Sequence, residues 1–342
     1  MTTEWTVSDF LGERELLSNQ LDARSFYEHL KREFKSLPRY RHSRMGVGKP
    51  GGSSSKDEKV CFFRGQACSE WGLTSSLYRL LDATDNLGVD SELEMAEAER
   101  IVIDTARSPH IGIGRGVSPL ELLAVLQHHG VPTRLIDMST DWRVALYFAC
   151  NELDSEDGRL FLIFVDQDSR PSVPFDSEIN VELNWWQGAE DAFIESVWRS
   201  SVFPVLFPFF DVRMISQRGY FIVGGLPEDG AHLGVSCDDV NLIDIRNVSS
   251  LPIWFPKLEY RDQWGRVFNG VAKSPRASVV TLRVPAEFKS GIRRLLWEDG
   301  VFQDSLYPPL MESVRLLKDC AATFQDRASL FDSAEDDGEV DF

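Results

Sequence analysis

An α+β fold is predicted, with a central mixed or antiparallel sheet, helices inserted between its strands, and one main domain. Three observations predict it. Short apolar strand patterns recur at uneven intervals, capped amphipathic segments fall between them, and no internal repeat sets a period.

The elements follow in chain order. Residues 21 to 36 read as a helix, with Leu21, Phe26, Leu30 and Phe34 roughly on one face. A basic stretch comes next. Between residues 31 and 56, Lys31, Arg32, Lys35, Arg39, Arg41, Arg44, Lys49 and Lys56 face only Glu33, and the end of the stretch is rich in Gly and Ser. It reads either as a solvated linker or as an arm touching nucleic acid or another polyanion. Lys59 to Arg64 alternates as a strand does, and residues 91 to 106 look helical. Ser118-Pro119-Leu120-Glu121 supplies an N-cap, a proline at the first helical position and a capping-box glutamate, and Gly130 supplies the stop. A tight link from Val131 to Thr140 leads into a second apolar helix with Val144, Ala145, Leu146, Phe148 and Ala149. A strand follows at Leu160 to Val165, with further strands at 219–224, 240–246 and 278–284. An amphipathic helix covers 286–299, closed by Gly300, and a last helix covers 309–327. Three parts are expected: residues 1–56 as N-terminal helix and basic linker, 57–328 as the main domain, and 329–342 as a disordered acidic tail.

Composition narrows the function. The 342 residues carry 36 basic against 54 acidic side chains, a net charge of −18, which argues against a broad nucleic-acid coat. The apolar run Val202 to Phe210 is broken by Pro204 and Pro208, so no membrane span is expected. Neither a signal peptide nor a CxxC pair is visible. The five scattered cysteines suit a reducing cytosol, so a cytoplasmic location is expected.

Three segments resemble one family. They are Phe62-Phe63-Arg64-Gly65-Gln66 continuing to Ser76-Leu77-Tyr78-Arg79, then Gln127-His128-His129-Gly130-Val131-Pro132-Thr133-Arg134-Leu135-Ile136-Asp137 continuing to Ala149, then Arg213 to Phe221. Together they resemble the FRG domain, over roughly residues 59–318. The ending Leu306-Tyr307-Pro308-Pro309-Leu310 fits as well, and Met138-Ser139 departs from the family pattern. The resemblance implies an association with mobile elements and phage defence, hence an antiviral or toxin role, without delivering a chemistry.

The residues themselves offer several chemistries. Arg64 at a strand end suits bidentate phosphate or carboxylate binding, or holds a loop carbonyl. Gly65 would let a ligand approach the backbone, with Gln66 beside it. His128, near a helix C-terminus, reads as a general acid or as a buried ring bonded to a carbonyl. Thr133, Arg134 and Asp137 lie in the link. Arg134 and Asp137 could pair there, or Asp137 could act as a base. Arg79 and Arg213 are further cations for a ligand or for salt bridges. Gln217 reads a base or amide edge, or caps the strand after it. The aromatic cluster Trp185, Trp186, Phe193, Trp198, Phe203, Phe207, Phe209 and Phe210 reads as core or interface.

Three function classes remain. One is an enzyme handling a nucleotide, with NAD as candidate substrate. Arg64-Gly65 resembles the NAD-phosphate arginine of ADP-ribosyltransferase-like folds, although no glutamate stands on a convincing later strand. Another is a Mg2+-dependent nuclease using His128, Asp137 and a distant carboxylate. The third is a non-catalytic sensor binding a phosphate-bearing ligand, a protein partner or a phage component.

Overall fold

The computed structural model describes residues 22–37, 59–84, 86, 91–166, 198–205, 212–227, 245–255 and 277–308. Six strands form one sheet: β1 (Lys59–Gln66), β2 (Ile136–Ser139), β3 (Gly158–Asp166), β4 (Val202–Val205), β5 (Gly219–Gly224) and β6 (Ser278–Val284). Their order is β4-β5-β2-β1-β3-β6, and every adjacent pair is antiparallel. The expected α+β class holds, with an antiparallel sheet. β4 sits on an edge, where Pro204 leaves no central ladder short of a donor.

The helices used below are α1 (Ala23–Glu33), α2 (Ser76–Ala83), α3 (Ser91–Arg107), α4 (Pro119–His128), α5 (Trp142–Cys150), α6 (Val212–Ser216), α7 (Ile245–Val248), α8 (Ala286–Glu298) and α9 (Gln303–Leu306). α4 begins as its sequence dictates. The Ser118 side chain accepts from the Glu121 N–H at 3.1 Å, Pro119 occupies the first turn, and Gly130 takes φ +88° just past the end. Asp141 caps α5 by accepting from the Arg143 N–H at 3.0 Å.

Alternation along β1 splits the core. Cys61 and Phe63 face a layer of α1, α5 and α8, joined there by Leu160, Leu162 and Leu282. Val60 and Phe62 face the other way, toward Ile163, Ile222, Ile253 and Phe255. Phe26, Tyr27, Leu30 and Phe34 of the N-terminal helix are buried in the first layer, so the main core reaches back across residue 56. A third cluster joins α3 and α4 to Phe221 and Val223 of β5 and takes in Trp198 and Phe203. The other six members of the aromatic cluster lie outside the described residues.

Two expectations are corrected. The link from Val131 to Thr140 contains β2, a central strand, because Ile136 and Met138 alternate into the core while Leu135 packs against α4. The strand expected at 240–246 is not continuous: Ile245 and Arg246 begin α7, and 240–244 lie outside the described residues. The helix at 309–327 and the tail at 329–342 also lie outside them.

Candidate functional site

The central sheet is incomplete at one place. β1 pairs with β3 along its whole length, from Lys59↔Asp166 to Gln66↔Arg159, but pairs with β2 only at Phe63↔Ser139. Beyond that pair the two strands share no ladder, and a cleft of about 850 Å³ opens there. A volume of several hundred Å³ is that of a small-molecule site. Arg64 spans the opening. Its Nη1 donates to the Asp137 carbonyl at 2.8 Å, supplying the donor a continued ladder would have supplied, and lies 3.8 Å from Asp137 Oδ2.

The Phe63-Arg64-Gly65 run therefore does three jobs. Phe63 packs beneath α5, and Arg64 enters the cleft. Gly65 has a structural requirement of its own: a Cβ there would stand 1.7 Å from the Ala145 carbonyl oxygen and 2.7 Å from the Ala149 N, so the missing side chain seats helix α5. Gly158 repeats the device, with a Cβ position 2.3 Å from the Ala149 oxygen.

Asp137 stands at the centre of the charged groups. Gln127 Nε2 donates to its Oδ1 at 2.8 Å, and the Thr133 hydroxyl in turn donates to Gln127 Oε1. Protein packed around it pushes the Asp137 carboxyl above its ordinary value, while Arg64, the Gln127 bond and Arg213 pull it down. Yet 64% of its side chain is exposed to the open cleft, so water still reaches it. Burial lowers Arg64 and Arg79, and the Asp137 charge opposes that in both. Both remain cations. Arg79 Nη1 donates to the Thr74 carbonyl at 2.6 Å. Arg213 lies 4.7 Å over the Tyr307 ring, a cation–π contact, and Tyr307 in turn stands edge-on to Phe148. Exposed Glu70, Asp82 and Glu152 form part of the rim, so the positive surplus is local to Asp137.

Of the residues expected at a site, Arg64, Gly65, Gln66, Arg79, His128, Asp137, Arg213 and Gln217 line this cleft. Gln66 is buried and donates through Nε2 to the Gly72 carbonyl at 3.0 Å. Gln217 reaches the cleft wall but also donates to the Leu306 carbonyl at 3.2 Å, holding α9 against the turn before β5. His128 is half-buried on the cleft side and His129 is exposed, with their rings edge-to-face at 5.2 Å.

Two expected ligand residues are corrected. Arg134 does not line the cleft and does not pair with Asp137. It is 2% exposed, and its Nη1 and Nε donate to Glu92 and Glu99 at 2.7 Å each. β2 alternation sends Asp137 to the cleft, whereas Arg134 precedes the strand and turns toward α3. Thr133 is fully buried and acts on the cleft only through Gln127. Sequence reasoning gave Gln127 and Tyr307 no role. The signal for Gln127 was the tight return from α4 into β2, which sets positions 127 and 137 side by side.

Among the described residues, no three His, Cys, Asp or Glu side chains stand close enough to hold a metal ion. Cys61 and Cys150 are packing residues. Burial raises both thiols, Cys150 to about 12. No helix among the described residues is long and apolar enough to cross a membrane.

Compared with known proteins, residues 59–158 match the family model of the FRG domain. The matched segment supplies Arg64, Arg79, His128 and Asp137. Arg213, Gln217 and Tyr307 come from beyond it, as do the third motif and the Leu306–Leu310 ending. No curated protein and no solved structure matches the chain.

Proposed function

We propose that the FRG domain of this chain binds a nucleotide-type ligand such as NAD in the cleft between β1 and β2. Its phosphates would lie against Arg64, Arg79 and Arg213, and Asp137 would act on it. The observation that carries this reading is the grouping of three arginines around one carboxylate at an open cleft. Arginine forks match phosphate oxygens. The rim carboxylates Glu70, Asp82 and Glu152 suit the hydroxyls and amines of a sugar and base. Asp137 supplies the carboxylate that glycosidic cleavage needs beside a cation-like sugar carbon. The biological setting follows from the family resemblance: a cytosolic effector in phage defence, or a toxin.

The test is calorimetric titration of the full chain with NAD, ADP-ribose, ATP and GTP, followed by mass spectrometry for turnover with and without EDTA. NAD binding that weakens about tenfold or more in Arg64→Ala, with NAD loss that survives EDTA, is the expected result. No binding of any of the four by a folded protein would sink the reading. A second reading, a sensor without chemistry, is favoured by one observation: Arg64 and Arg79 are already anchored on the carbonyls of Asp137 and Thr74. Binding without turnover would select it.

A further inference from the structure

A second groove, of about 420 Å³, lies between the end of α1, the start of α5 and the turn before β5. Its walls carry Lys31, Lys35, Arg143 and Arg218 against two carboxylates, Asp141 and Asp299. The carboxylates do not neutralise it. Asp141 is 6% exposed and is shared: Arg143 grips it through Nη2 at 2.6 Å, and Arg218 Nη1 lies 3.5 Å away. Asp299 takes Lys31 at 3.4 Å and also accepts from the Tyr27 hydroxyl at 2.8 Å. Lys35 is exposed and makes no ion pair among the described residues. In a chain of net charge −18, this is a local inversion of sign.

Arg218 adds an independent observation. It sits at φ +47°, the left-handed region where glycine is the usual occupant after a helix. The place is structurally required, because the Arg218 carbonyl accepts from the Thr140 N–H at 3.1 Å. Holding a long cation in that backbone state puts a guanidinium, 61% exposed, on the groove rim, where glycine would fold with less strain.

We propose that this groove binds the phosphate backbone of a nucleic acid, at a site separate from the nucleotide cleft. The four cations are spread around an open groove rather than converging on one point, which suits successive phosphates of a polymer better than a single phosphate. Past Leu37 the sequence continues with Arg39, Arg41, Arg44, Lys49 and Lys56 and holds no acid before Asp57, so the positive charge extends along the chain. The proposal stands whether or not the cleft takes NAD.

The test uses the full chain and fluorescein-labelled dT20 and rU20, read by anisotropy at 50 and 200 mM NaCl. Binding is expected at the lower salt and should weaken about tenfold or more at the higher, as counterion release requires. The double variant Lys35→Glu/Arg218→Glu should weaken it at least tenfold. Arg24→Glu/Arg294→Glu, which places the same charge change on the outer faces of α1 and α8, should leave it nearly unchanged. Arg218→Gly guards against misfolding as the explanation. It should raise the melting temperature while weakening binding. No binding at 50 mM NaCl, or an equal loss in both double variants, would overturn the proposal. So would tripolyphosphate competing as well as the oligonucleotide at equal phosphate concentration, which would assign the groove to free polyphosphate.

Discussion

The clusters around Arg134 and Asp137 are built three residues apart in the chain and are opposite in kind. Around Arg134, one cation meets two carboxylates, Glu92 and Glu99, and all three are under 10% exposed. Neighbours add further contacts. The Trp198 indole N–H donates to Glu92 at 2.7 Å, the Leu226 N–H donates to it at 2.6 Å, and the guanidinium lies 5.2 Å from the Trp198 ring. Around Asp137, one carboxylate faces three arginines across an open cleft. Charges sealed from water must find ionic or hydrogen-bond partners within the protein, because burying an unpaired ion is expensive, and here neutral N–H donors to Glu92 offset the second carboxylate. A cluster open to solvent can keep a surplus and offer it to a ligand. The sealed cluster holds α3 to the sheet, and the open one lines the cleft.

Several variants would break or sharpen that contrast. The largest effect is expected in Arg134→Met, which leaves Glu92 and Glu99 buried without a cation. Unfolding in urea should show a loss of about 3–5 kcal/mol. A loss under about 1 kcal/mol would mean the network is not structural. Gly65→Ala comes next, since its new Cβ meets main chain rather than a flexible side chain. Thermal denaturation should show about 1–3 kcal/mol of destabilisation. Asp137→Asn should leave stability within about 1 kcal/mol and ligand affinity within a few-fold, while turnover falls about a hundredfold or more. Equal turnover would move the chemistry elsewhere. Thr133→Val removes the hydroxyl that fixes Gln127 and should cost about 1 kcal/mol, with reduced turnover at unchanged affinity.

The smallest effect is on pH dependence, where the two aspartates should have opposite signs. Burial acts to raise Asp141, but its bonds to Arg143, with help from Arg218, hold it below its ordinary value of 3.8. Its contribution to stability is therefore complete above pH 3.8 and is lost as pH falls through the lower folded value. Asp137 is raised, so its contribution is complete below 3.8 and is lost as pH rises through the folded value. Acid denaturation of Asp141→Asn, which keeps a capping side chain on α5, should show a flatter acid limb than the parent. Asp137→Asn should not.

Much of the fold was legible because it rests on local chemistry. The strands at 219–224 and 278–284 were read at their observed bounds, and α4 was read from Ser118 to Gly130, since alternation and capping act over a few residues. β2 was not legible. It is short, and it is a strand only because β5 pairs with all of it. Of the residues expected at a site, Arg64, Arg79, His128, Asp137 and Arg213 do line one cleft, since each was read from its own side chain and local setting. Thr133 was not placed correctly, because it is buried and meets the cleft through its bond to Gln127, a tertiary neighbour.

The sequence by itself determined the helix caps, the apolar stripes, the α+β class and the positive run at 31–56. These depend on neighbours one to four residues apart, and no tertiary contact is needed to set them. Only the tertiary structure decided which cations are sealed in the core and which line the cleft. Arg134 lies near Asp137 in sequence but bonds Glu92 and Glu99, at separations of 42 and 35 residues, whereas Arg64 reaches Asp137 across 73. Ion pairing falls off with distance in space and is indifferent to distance along the chain. The parting of β1 from β2 sets Arg64 beside Asp137, and the packing of α3 takes Arg134 away from it, which no spacing in the sequence could have shown.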